Sequence, residues 1–144
     1  MRAAAQGVLV WAVLALSVVQ THGIEVCPGE GPRYGDFKCN HDGTHRVCAK
    51  LKDPKGNKVI WGDADFWHLT GQSDWSSAVG SDASNPGGDW CICMWATASL
   101  ISKVGCDNVH IDCGATDVTY VMSKYSDGGV DLAPAKDCIT KKCM

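Results

Sequence analysis

Nine cysteines in 144 residues constrain this chain more than any other feature it has. They stand at Cys27, Cys39, Cys48, Cys91, Cys93, Cys106, Cys113, Cys138 and Cys143, all after an apolar N-terminal run. In an oxidising compartment such a density reads as a disulfide framework, with short elements stapled together. The number is odd, so one thiol is free or joins a second copy in a disulfide-linked dimer. Eight cysteines admit about 105 pairings, and spacing alone does not choose among them.

The compartment follows from the first residues. Arg2 precedes an apolar run over residues 8–19 broken only by Ser17, and Gln20-Thr21-His22-Gly23 ends on a small residue suited to cleavage. That run of about 12 residues falls short of the roughly 20 that a membrane-spanning helix needs. Residues 1–23 therefore read as a signal peptide and residues 24–144 as one cysteine-rich domain. The expectation is a secreted, extracellular protein with no membrane partner once the signal is removed. The net charge is −3, and residues 59–102 hold no Lys or Arg but carry Asp63, Asp65, Asp74, Asp82 and Asp89. Nothing there would neutralise phosphates, so nucleic acid is not an expected partner.

Turn chemistry dominates residues 27–46, with Pro28-Gly29, Gly31-Pro32 and Asp42-Gly43. Residues 44–51 alternate as a strand does, and Val59-Ile60-Trp61 reads as a second. Residues 73–88 form a polar loop interrupted by Trp75. Trp90-Cys91-Ile92-Cys93-Met94-Trp95 reads as a strand buried on both faces, running into a helix from Ala96 that Gly105 stops. Residues 109–113 suggest another strand. Thr116-Asp117 would cap a helix reaching Tyr125, ended by Asp127-Gly128-Gly129, and residues 131–138 a last short helix before a cysteine-bounded tail. The fold class expected is α+β: a small single domain of short strands with two or three helices, disulfide-stapled.

Four groups of residues could carry chemistry. Cys93 stands at a helix start, where the dipole favours a thiolate, and His110 with Asp112 could act as base and orienting carboxylate. A disulfide half-cystine is the competing role for Cys93. Cys39, His41, His45 and Cys48 could close a tetrahedral zinc site, although their spacing matches no standard finger and oxidation competes for both sulfurs. The pairs Asp63/Asp65, Asp107/Asp112 and Asp127/Asp131 offer oxygen ligands for weak calcium association without following the EF-hand pattern. Trp67 and Trp75 are the aromatics expected to show a face to solvent, as surface-binding residues do. No cofactor is expected beyond that calcium association.

Several segments together resemble the family catalogued as domain of unknown function 2237. They are Cys27, residues 37–39, Gly43-Thr44-His45-Arg46-Val47-Cys48-Ala49, Gly56-Asn57 and Pro86-Gly87-Gly88-Asp89-Trp90-Cys91-Ile92-Cys93. Ala115-Thr116-Asp117 stands where the family has Ala-Thr-His, and Gly-Asp-Trp lacks the Arg that the family carries before its Trp. The resemblance implies a compact α+β fold and no assigned activity. It also divides the cysteines: Cys106, Cys113, Cys138 and Cys143 lie outside the family pattern, and additions of that kind should bond among themselves. The favoured pairs are Cys106–Cys113 and Cys138–Cys143, with the odd thiol left in the Cys91/Cys93 pair. The function expected is that of a secreted, non-enzymatic structural or binding component of an extracellular setting, including a mineralised matrix. Its partners would be extracellular protein, polysaccharide or mineral. The alternative is a secreted enzyme using Cys93 and His110, or a metal-binding protein using the Cys39–Cys48 cluster.

Overall fold

Alternating apolar residues make two strands pair. β1 (His45–Lys50) lies antiparallel to β4 (Asp89–Cys93), and between them fall β2 (Ile60–Trp61), β3 (Ala64–Asp65) and α1 (Phe66–Thr70). β4 runs without a break into α2 (Met94–Val104), followed by a 3-10 turn at Cys106–Asn108, α3 (Val118–Met122), β5 (Ser126–Asp127), β6 (Val130–Asp131) and α4 (Ala133–Cys143). This is the computed structural model of the chain, describing residues 23–30, 33–80 and 87–144. The expected signal peptide, but for Gly23, and residues 81–86 of the polar loop lie outside the described residues.

The architecture is mixed α+β: four helices with three two-stranded antiparallel pairings, among the described residues. Val47, Ala49, Trp90 and Ile92 turn one face of the β1–β4 ribbon into the main core, where α2 buries Met94, Ala98 and Leu100. α4 closes that core from the other side with Ala135, Cys138 and Ile139. The opposite ribbon face carries Cys48 and Cys91, which join Cys27 and Cys39 in a second, sulfur-rich cluster.

The bridges are Cys27–Cys48, Cys39–Cys91, Cys106–Cys138 and Cys113–Cys143, with Cys93 free. Cys106, Cys113, Cys138 and Cys143 bond among themselves, and the odd thiol sits in the Cys91/Cys93 pair. The favoured local pairs, Cys106–Cys113 and Cys138–Cys143, are corrected. α4 extends through the expected tail to Cys143, and on a helix residues five apart are about 7.5 Å apart along the axis and about 140° around it. Cys106 opens the 3-10 turn, whereas residues 109–113 run extended to reach Ala49 through an isolated bridge at Ile111, so Cys113 is carried away from it. Both bridges tie α4 back, one to the end of α2 and one to that extended stretch.

Other boundaries shift for local reasons. α2 begins at Met94, two residues earlier than the propensity step at Ala96. Residues 109–113 pair only at Ile111, so no strand forms there. α3 stops at Met122, and Asp127-Gly128-Gly129-Val130 makes a hairpin turn in which both glycines hold positive φ (55° and 80°).

Candidate functional site

The site arises from one irregularity in the ribbon. Lys50 faces Asp89, Ala49 faces Trp90, Cys48 faces Cys91 and Val47 faces Ile92. Continued regularly, the register would set Arg46 opposite Cys93. A bulge between His45 and Val47 instead places His45 opposite Cys93. Arg46 is turned out: its Nε donates to the Asp42 carbonyl, its Nη1 lies 2.7 Å from Asp117 Oδ2, and its guanidinium covers the Tyr120 ring at 3.8 Å.

His45 Nε2 lies 3.2 Å from Cys93 Sγ, and His45 Nδ1 lies 2.7 Å from Asp42 Oδ2. With Nδ1–H donated to the carboxylate, Nε2 presents its lone pair to the thiol. Asp42 is held by its own loop, for Oδ1 accepts the N–H groups of Thr44 (2.9 Å) and His45 (2.7 Å). The Tyr34 hydroxyl donates to Oδ2 as well. Burial pushes the Asp42 carboxyl up, but these donors together hold it well below the usual carboxylate range. The Tyr34 hydroxyl is raised by its own burial and by that bond.

Cys93 is the N-cap of α2. The helix N-terminus favours a thiolate, but burial, reinforced by the negative charge of Asp127, pushes the thiol up. Burial thus favours the protonated form of the Cys93 thiol. Thr44 and Asp127 close the flank: the Thr44 hydroxyl donates to Asp127 Oδ2, which also accepts the Trp95 N–H at 3.1 Å.

Cys91, two residues earlier, is clamped on the strand edge away from β1. Glu30, with no exposed surface, accepts its N–H at 2.5 Å and takes Arg33 Nε at 2.5 Å, while Arg33 Nη2 donates to the Cys91 carbonyl. The Arg33 guanidinium lies over Trp90, 4.9 Å from its ring centre. It lines a cleft leading down to Cys93, whose walls include His45, Trp67, Gln72 and Trp90. Outward the cleft widens to about 310 Å³, with Trp75 on its rim, 58 % exposed.

The residues expected from sequence are redistributed. Cys93 carries the thiol, but the imidazole beside it is His45 and the carboxylate on that imidazole is Asp42, not His110 and Asp112. Those two line a separate cleft with Lys50 and Asp89. There His110 packs on Trp61, ring centres 6.0 Å apart, and Asp112 accepts the Ala115 N–H. The Cys39, His41, His45 and Cys48 cluster does not converge. Both sulfurs are in disulfides, and His41 stacks on Tyr34 at 4.6 Å with Nε2 2.5 Å from Asp36. The turn aspartates serve mostly as backbone acceptors: Asp65 caps α1 through the His68 N–H, Asp131 accepts from Ala133, and Asp107 pairs with Lys141. Trp75 is exposed as expected, whereas the expectation for Trp67 is corrected: it is buried in the main core beside Phe66 and only lines the same groove.

Asp42, Arg33 and Gln72 were not legible as site residues. The signal available for Asp42 was its place three residues before His45 in a Gly-containing turn. Comparisons with protein-family models, with curated proteins and with solved structures each found no match to this chain.

Proposed function

We propose that this protein is an extracellular domain whose activity is carried by a thiol nucleophile. Cys93 attacks an electrophilic ligand, His45 takes its proton, and Asp42 holds the imidazole in the working tautomer. The observation that carries this reading is the aligned contact series Cys93 Sγ to His45 Nε2 (3.2 Å) and His45 Nδ1 to Asp42 (2.7 Å), at the foot of an open aromatic cleft. The extracellular setting is supported by four disulfides and by the apolar leader. In that setting a thiol left free in the company of eight oxidised ones has a use of its own.

Iodoacetamide alkylation of the native protein tests this reading. One thiol per chain should react, mapping to Cys93, and His45→Ala should slow the reaction by about 10²-fold, the low end for loss of a general base. A Cys93 that reacts only after denaturation, or at the same rate without His45, would overturn it.

A second reading, a non-enzymatic binding component of an extracellular matrix, draws on Trp75, which is 58 % exposed at the rim of the same groove. A ring face beside the Ser73 hydroxyl suits polysaccharide. Trp75→Ala would then abolish retention on a polysaccharide column that Cys93→Ala leaves intact.

A further inference from the structure

Among the described residues, one buried side-chain nitrogen or oxygen has no hydrogen-bond partner: Nε2 of Gln72. A buried amide donor left unpaired is costly, so such an atom asks for an explanation. Gln72 follows the Gly71 cap of α1 and lines both the narrow cleft over Cys93 and its wider mouth. The residue carrying this unpartnered donor therefore lines a cavity that the free thiol and His45 also line.

The donors a helix start would ordinarily offer beside a nucleophile are already engaged here. The Met94 N–H donates to the Thr44 carbonyl at 2.9 Å, and the Trp95 N–H donates to Asp127 at 3.1 Å. The backbone beside Cys93 thus has these two groups engaged, while the Gln72 amide nitrogen has no partner within the protein.

We infer that the ligand attacked by Cys93 is a carbonyl compound, an ester, thioester or amide, whose oxygen is received by the Gln72 side-chain amide. The inference rests on the reading of Cys93 as a nucleophile and specifies the reaction as acyl transfer. As the Sγ–C bond forms, the carbonyl π pair moves onto oxygen and the thiol proton passes to His45 Nε2. Gln72 Nε2–H donates to the oxyanion. When the oxygen pair returns, the bond to the leaving group breaks, and the proton on His45 goes to that group. Water, its proton taken by His45, then releases the acid and restores the thiol. A donor aimed at charge that develops only in the transition state accelerates the step without tightening ground-state binding.

The experiment compares two reactions of the same thiol. p-Nitrophenyl acetate forms an oxyanion when it acylates Cys93. Iodoacetamide is displaced at a saturated carbon and forms none. Gln72→Ala and the near-isosteric Gln72→Glu should lower the acylation rate constant by about 10²-fold, the usual loss for one oxyanion donor, with the carboxylate variant no faster than the alanine one. Alkylation by iodoacetamide should stay within about twofold of wild type in both, which also shows that the cleft has kept its shape. Unchanged acylation in Gln72→Ala overturns the inference and leaves the nucleophile reading standing. Equal slowing of both reactions overturns it too, since Gln72 then merely supports the fold. A wild-type acylation rate that Cys93→Ala does not reduce removes the nucleophile reading itself.

Discussion

Replacing Cys106 and Cys138 together by alanine should destabilise the protein by about 3.7 kcal/mol. The bridge closes a chain segment of 32 residues, and the loop-closure entropy removed from the unfolded ensemble at that length is about 12.4 cal/mol/K, or about 3.7 kcal/mol at 25 °C. The local pairs that sequence spacing favours would both be broken by this variant, at about 2.4 and about 2.1 kcal/mol by the same relation, so the connectivities are told apart by the peptide map, in which Cys113 and Cys143 stay bridged. Both cysteines must change, because a lone partner would leave a thiol able to attack another bridge. The Cys113–Cys143 bridge spans 30 residues and predicts nearly the same loss, about 3.6 kcal/mol. It provides the internal control. Cys138 is 2 % exposed within the core, whereas Cys113 and Cys143 are only partly buried. Urea unfolding of the two double variants at 25 °C, with the remaining bridges confirmed by peptide mapping, separates the contributions. Equal losses show that chain entropy dominates. A larger loss for Cys106→Ala/Cys138→Ala measures packing around Cys138. A loss below about 1 kcal/mol for that pair would refute the argument that this staple holds α4 against the end of α2.

Other perturbations test the site and its frame. Asp127→Asn removes a negative charge that, after burial, most disfavours the Cys93 thiolate; the alkylation-versus-pH curve should move to lower pH, and a shift upward would contradict the assignment. Burial raises the Glu30 carboxyl above its ordinary 4.5, so the folded chain binds more protons than the unfolded one above that pH and stability falls as pH rises through the window. Glu30→Gln, neutral throughout, should flatten that part of a Tm-versus-pH plot. The Asp42 carboxyl is held low, which makes its contribution present at neutral pH and lost only as pH falls below the usual carboxylate range; a carboxyl titration followed by NMR should find it there. A Cβ at Gly88 would lie 2.1 Å from the Lys52 carbonyl oxygen, and Gly88→Ala should cost about 1–3 kcal/mol in urea unfolding through overpacking.

How much of this was legible in the sequence depends on whether the controlling interaction was local. The Trp90-Cys91-Ile92-Cys93 strand, the helix after it and the Asp117 cap follow from alternation, propensity and a carboxylate three residues before the N–H it accepts, and they are where they were expected, save that the helix begins two residues early. The division of the cysteines into five and four was likewise accessible through the resemblance, whereas the pairing within the four was not. That pairing depends on where α4 lies against α2, a tertiary fact with no local mark. The site was half visible. Cys93 stood out as a thiol at a helix start, but its partner could not be read, because a bulge at Arg46 decides which side chain faces it. Alternation alone assigns the opposite residue. His45 was noticed for the wrong chemistry, as one ligand of a metal cluster whose sulfurs are oxidised.

A thiol–imidazole contact of 3.2 Å between two separate strands survives only if neither strand can slide. Each is tied covalently within a few residues of its reactive group. The Cys39–Cys91 bridge is two residues from Cys93, and the Cys27–Cys48 bridge is three residues from His45. Cys48 and Cys91 face each other across the ribbon, yet each bonds to the N-terminal segment instead of to the other. A direct bridge would have locked the ribbon alone. The crossed arrangement also draws in residues 27–39, which carry Glu30, Arg33 and Tyr34. Those three side chains are the ones that clamp Cys91, cover Trp90 and brace Asp42. The disulfides therefore do more than compensate for a small core. They hold the support of the Cys93–His45–Asp42 series in place before any ligand arrives, which is the condition for a site that reacts without first having to assemble.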